Sequence, residues 1–177
     1  MELDRLLEER RSIRSFAPDV RITREELDEL IKAVQMAPSW ANTQTGRYYI
    51  ACSPEMAEKV KGMLLGRNQE NCANVPVYIV TAFEKGRAGF RQETPVNELG
   101  DQWGAYDLGL AASYLILKAR DMGYDTLIMG VRNADELRAA LSIPENEQIA
   151  SVIALGKRAA EPNMPKHKEP EEIAKFF

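Results

Sequence analysis

The run VPVYIVTAF, Val75 to Phe83, has no charged side chain and is rich in β-branched and aromatic residues. Such a run reads as a strand buried in a sheet, because a solvent-facing strand would alternate apolar and polar positions. The segments around it have the other period. Thr23 with Glu26 three residues later forms a capping box. After it, Leu27, Leu30, Ile31 and Val34 recur at helical spacing until Pro38 stops the helix. A longer helix is expected over about 98–122, with Leu108, Ala111, Ala112, Leu115, Ile116 and Ala119 as its apolar stripe. Gly104, Ala105 and Gly109 are small enough to let another backbone approach, and Gly123 ends the helix.

Other elements follow the same logic. Leu3, Leu6 and Leu7 mark a short amphipathic helix at the start. RYYIACS (47–53), DTLIMG (125–130) and IASVIALG (149–156) read as further strands. PEMAEKVKGMLL (54–65) opens with proline at a favoured first-turn position and reads as a helix, as does ADELRAALS after Asn133. Residues 84–95 are polar and contain Gly86 and Gly89, so a surface loop is expected there. The tail, KRAAEPNMPKHKEPEEIAKFF, is rich in proline and charge yet ends in two phenylalanines. There are no internal repeats and no dividing linker, so the reading is a single α+β domain over 1–177.

Bulk properties narrow the function. The 177 residues carry a formal net charge of −4, with 28% charged and 45% hydrophobic residues, a balance typical of soluble globular chains. That acidic balance argues against nucleic acid as a general partner. No apolar run is long enough to span a bilayer, and MELDRLLEERR lacks the apolar core of a signal peptide. Cys52 and Cys72 have no metal-binding spacing, and the lone histidine, His167, argues against a histidine-based metal site or a catalytic triad. These features together point to a reducing cytoplasm.

Against that acidic background, EERRSIRSF (8–16) gathers Arg10, Arg11 and Arg14 around Ser12. If the first helix continues, Arg10 and Arg14 lie one turn apart, and their guanidinium forks suit phosphate oxygens. A solvated basic turn pairing with Glu8, Glu9 or Asp19 would use the same residues. The second polar stretch, APSWANTQ (37–44), holds Ser39, Asn42 and Gln44 with Trp40 among them. Its amides match the donors and acceptors of a heterocycle edge, and an ordinary polar loop is the plainer alternative. Tyr48, Tyr49, Tyr106, Tyr114, Cys52 and Cys72 read as packing or bland surface residues, and Trp103 as an interface candidate. His167 is either a phosphate contact or a solvated tail residue.

RRSIR followed some two dozen residues later by PSWANTQ resembles the FMN-dependent nitroreductase family. The resemblance continues through Asn71 in GRNQENC, the small-residue helix, LIMG, IALG and PKHK. It implies a three-layer α+β fold, with a mixed central β-sheet flanked by helices, in an intertwined homodimer with FMN at the interface. By that resemblance, Arg10, Arg11, Ser12 and Arg14 grip the flavin phosphate and the pyrimidine edge. Lys166 and Lys168 close on the phosphate from the C-terminal side, and Asn71 contacts the ring or ribityl region. Pro38, Ser39, Trp40 and Asn42 reach the flavin from the partner subunit. The backbone at Met129 and Gly130 faces flavin N5, while the Met129 side chain can equally be core.

The activity implied is ping-pong oxidoreduction. NADH or NADPH delivers a hydride to flavin N5, and a small acceptor such as a nitroaromatic or a quinone then takes the electrons. No dedicated catalytic residue and no metal are expected. The terminal KFF would dock on the partner. The chain departs from the family pattern at Thr45-Gly46, where proline and tryptophan are usual, and in having lysine at both phosphate-side positions. Its short 84–95 segment leaves little lid. Rival readings are a specialised flavin enzyme of this fold, a flavin-binding or redox-sensing protein with little turnover, and an interaction domain whose arginines bind an acidic peptide.

Overall fold

The computed structural model describes residues 2–177. Four strands form the main sheet: β1 (Gly46–Ala51), β2 (Val77–Glu84), β5 (Asp125–Met129) and β6 (Glu147–Gly156). Their order is β1-β2-β6-β5, so the apolar run of β2 and the ten residues of β6 lie at its centre. Every residue of β2 except Glu84 is buried. All pairings between these strands are antiparallel. The parallel contribution to the expected mixed sheet is reduced to a single bridge, Ser12 beside Thr126.

Helices cover both faces. Val77, Ile79, Ile153 and Leu155 point towards α2 (Arg24–Gln35) and α5 (Gln102–Asp121). Their neighbours Tyr78, Val80, Val152 and Ala154 point the other way, towards α3 (Pro54–Gly62) and α6 (Ala134–Leu141). Alternation along the strands thus feeds two cores, as strand geometry requires. The capping box on α2 is formed, with Glu26 N–H donating to Thr23 Oγ1 at 3.2 Å and Thr23 N–H to Glu26 Oε2 at 2.8 Å. Such a cap contributes about 1 kcal/mol. Leu27 and Leu30, 2% and 0% exposed, contribute about 2 kcal/mol each by burial, so packing holds α2 more than its cap does.

Two segments differ from the sequence expectation. The first helix, α1 (Leu3–Glu9), stops before the arginines, and Arg10 is extended at φ −66°, ψ 124°. Long-range bonds outcompete the helix there: Ile13 N–H donates to Thr126 O at 3.0 Å, and Ala17 N–H to Lys157 O at 2.8 Å. Residues 84–95 are not plain loop. They carry a small hairpin, β3 (Phe90–Arg91) with β4 (Thr94–Pro95). Gly89 seats it on α5 at φ +79°, where a Cβ would lie 2.4 Å from Trp103 Cδ1. Two further short helices, α4 (Asn68–Asn71) and α7 (Pro170–Ile173), flank β2 and lie in the tail. No described helix is long and apolar enough to cross a membrane.

Candidate functional site

Released from the helix, residues 10–15 form one wall of a cavity of about 480 Å³. The opposite wall is residues 160–163 with Pro165 and His167. Backbone bonds set the spacing, because Ala159 N–H donates to Ser15 O at 3.0 Å while Arg158 Nη2 donates to Glu9 O at 3.1 Å. Arg158 is itself fixed by Asp125, whose side chain is 2% exposed. Burial works against a charged Asp125, yet the hydrogen bonds from Arg158 and Arg120 outweigh it and hold the carboxyl below the ordinary carboxylate range.

The cavity is electropositive for a countable reason. Arg10 and Arg14 have no carboxylate partner among the described residues; Arg14 only donates to Ser12 O at 3.3 Å. Arg11 lies across Arg10 O and Met164 Sδ. The one acid on the wall, Glu161, is already bound to Arg158 at 2.7 Å. Unpaired guanidinium groups around a half-open hollow are complementary to a small polyanion such as a phosphate ester. His167 lines this cavity, whereas Lys166 and Lys168 on either side of it are exposed and do not.

Asn71 and the β5 end lie on the same side of the fold as each other. Leu65 N–H and Asn68 Nδ2 both donate to Val131 O, at 3.2 and 3.0 Å, which sets α4 against the end of β5. The half-buried Asn71 side chain has no hydrogen bond among the described residues, so its amide is free. The Met129 side chain is 2% exposed and meets Cys72 Sγ at 3.6 Å, in the core, while Gly130 is exposed. Burial pushes the Cys72 thiol up to about 11, which leaves it a packing group and no nucleophile. Asn74, one turn on, donates from Nδ2 to Phe16 O at 3.1 Å and staples this region to the arginine segment.

The PSWANTQ loop is held elsewhere. Pro38, Ser39 and Gln44 line a separate cavity of about 230 Å³ between α2, β1 and α5, and no residue lines both cavities. The loop is strained: Ala41, Asn42 and Gln44 have φ of +44°, +55° and +49°. Each such residue costs on the order of 1 kcal/mol or more, and persists only where the surroundings impose it. Here Gln44 N–H donates to Ser39 Oγ at 3.1 Å, Thr43 Oγ1 to Trp40 O at 2.7 Å, and Gln44 Nε2 to Asn42 Oδ1 at 3.1 Å. The Trp40 ring packs against Trp103, tilted by 50° with centroids 4.6 Å apart, and the Trp40 backbone N–H donates to Asp107 Oδ2 at 2.8 Å. Burial raises the Asp107 pKa, and the Trp40 N–H offsets this only in part. Asp107 escaped the sequence reading. Its signal was an acid spaced with Ala111 and Leu115 on the apolar face of α5.

The chain is thus a layered α+β protein with an arginine-lined cavity and a strained, amide-rich loop. The chain belongs to the nitroreductase family, whose profile matches residues 7–74 and 64–157. It is 30% identical to an Archaeoglobus fulgidus protein provisionally named an NADH dehydrogenase/NAD(P)H nitroreductase, over 83% of this chain and 80% of that one. It is 29% identical to the FMN reductase [NAD(P)H] of Bacillus subtilis, over 93% of this chain and 70% of that one. An FMN-dependent nitroreductase of Clostridium difficile superposes with a TM-score of 0.77 at 23% identity, over 97% of this chain and 96% of that structure; this similarity speaks for the fold.

Proposed function

We propose that the chain is an FMN-dependent NAD(P)H oxidoreductase that reduces small acceptors of the nitroaromatic or quinone type. The observation that carries the reading is the cavity in which Arg10, Arg11 and Arg14 meet with no free carboxylate. Two curated relatives support it: one is named an FMN reductase using NAD(P)H, the other an NAD(P)H nitroreductase.

Arg10, Arg14 and Ser12 would hold the FMN phosphate, with Arg11 beside them and Lys166 and Lys168 drawn in from the exposed tail. The free Asn71 amide would bond the ring or ribityl chain, and the backbone at Met129–Gly130 would face N5. When bound, FMN supplies hydride acceptance from NADH or NADPH and electron delivery to a second substrate. The chain's own groups bind and orient the cofactor and neutralise its phosphate charge. The reading assigns no side chain as acid, base or nucleophile.

Pro38, Ser39, Trp40 and Asn42 would contact the flavin of a second copy. Within one chain this loop and the arginines belong to different cavities, so a ligand touching both is naturally served by a homodimer. Exposed Tyr106, Tyr114, Ile128, Val131, Phe176 and Phe177 are apolar surface for such an interface. The whole chain would then act as one FMN-binding domain. Its two free cysteines suit a reducing cytoplasm.

An absorbance spectrum of the purified protein, repeated after anaerobic NADH or NADPH, tests the reading. Flavin bands that bleach with a nicotinamide are expected. Bands that persist would favour a flavin-binding or sensing protein with little turnover. A colourless protein that takes up no added FMN would overturn the assignment of the arginine cavity.

A further inference from the structure

We infer that Asp107 is a positioning residue: its carboxylate fixes the Ser39–Gln44 loop in its strained, binding-competent shape by accepting the Trp40 backbone N–H. The inference rests on the reading that this loop contacts the flavin.

Asp107 is 6% exposed and has no cation partner among the described residues. A buried acid without a counter-charge is costly to keep in an apolar stripe that otherwise runs Gly104, Leu108, Ala111 and Leu115. The bond it makes is to the first residue of the 3₁₀ turn Trp40–Asn42, directly ahead of the left-handed Ala41 and Asn42. The other hydrogen bonds at this end of the loop are internal to it, so they hold its local shape without fixing where the loop sits. At the far end Arg47 Nη1 donates to Gln44 O at 2.9 Å. The near end has Asp107.

Trp103 lies one helical turn before Asp107 on α5, so a single helix face grips Trp40 twice, by its ring and by its amide. Behind the loop, Thr45 Oγ1 and Tyr48 OH are buried without partners and line the same cavity as Asp107. Neither hydroxyl bonds the Trp40 N–H, whose acceptor in the folded loop is Asp107 Oδ2. An unpaired Trp40 N–H would then favour relaxation of the loop towards ordinary backbone angles.

The chain's two tryptophans are this ring pair, so intrinsic emission and near-ultraviolet dichroism of the apoprotein report the loop with no flavin present. Asp107→Leu should red-shift the emission, weaken the Trp–Trp dichroic signal and raise the FMN dissociation constant roughly tenfold or more. Asp107→Asn, whose Oδ1 still accepts, should restore most of both. Unchanged emission and unchanged affinity in Asp107→Leu would overturn the inference. Changed emission with unchanged affinity would keep Asp107 as the loop's anchor and overturn the placement of the loop at the flavin. Should the leucine variant misfold, Trp40 amide exchange in the wild-type apoprotein decides: strong protection supports the anchor, and exchange at the rate of a free loop rejects it.

Discussion

Arg158 and Asp125 meet through three hydrogen bonds, from Arg158 N–H at 2.9 Å, Nε at 3.0 Å and Nη2 at 2.7 Å, while the same Nη2 reaches Glu9 O. The pair therefore joins β5, the segment after β6 and the residue just ahead of Arg10, which places both walls of the arginine cavity under one buried clamp.

Asp125→Asn should destabilise the protein by about 3 kcal/mol, because it removes the buried counter-charge of Arg158, whose side chain is 14% exposed, and leaves it only the exposed Glu161. The sign with pH follows from the depressed Asp125 pKa. Its contribution is fully present above the unfolded carboxylate value of about 4 and is lost as pH falls through the lower folded value. Guanidinium denaturation of wild type and variant at several pH values should show the gap closing in acid. A constant gap would refute the ion-pair origin. Arg120 and Arg158 are the charged groups that bond Asp125, and Glu9 and Glu161 pair with those arginines in turn.

Arg10→Ala and Arg14→Ala should separate binding from stability. Neither guanidinium has a carboxylate partner among the described residues, so apoprotein melting should stay within about 1 kcal/mol of wild type. Each lost charge-assisted bond should weaken FMN binding about ten- to a hundredfold, as measured by quenching of flavin fluorescence. Arg14→Lys should fall between, since a point charge replaces a two-pronged donor. Variants that bind FMN as tightly as wild type would remove the phosphate from this cavity.

Much of this fold was legible because its signals are local. The Thr23–Glu26 cap, the buried run of β2 and the stripe of α5 each depend on residues a few positions apart, and each formed as read. What stayed hidden depends on distant partners. Nothing near Arg10 announces that Ser12 and Phe16 bridge Thr126 and Arg158, which is why the sequence points to a helix that runs on. The Trp40–Asp107 bond spans 67 positions, and an acid on an apolar helix face gives no hint of what it meets. The β3–β4 hairpin failed for another reason. Each strand has two residues, too short for any alternation to register. The paired placement of RRSIR and PSWANTQ came from family resemblance, and a single chain keeps them on separate cavities.

The two glycines of α5 should behave oppositely on conversion to alanine. At Gly104 a Cβ would sit 2.4 Å from Phe83 Cδ2, a ring carbon buried against the sheet, so Gly104→Ala should cost about 1–3 kcal/mol despite alanine's better helix propensity. At Gly109 a Cβ meets nothing within 4 Å, so Gly109→Ala should stabilise an isolated protomer by up to about 1 kcal/mol. Gly109 is exposed, and with its face of α5 in the proposed homodimer the same methyl would intrude on the partner and weaken self-association. Melting curves measured across a wide range of protein concentration, with sedimentation on both variants, separate the two effects. Unchanged self-association in Gly109→Ala would move the dimer interface away from this helix face.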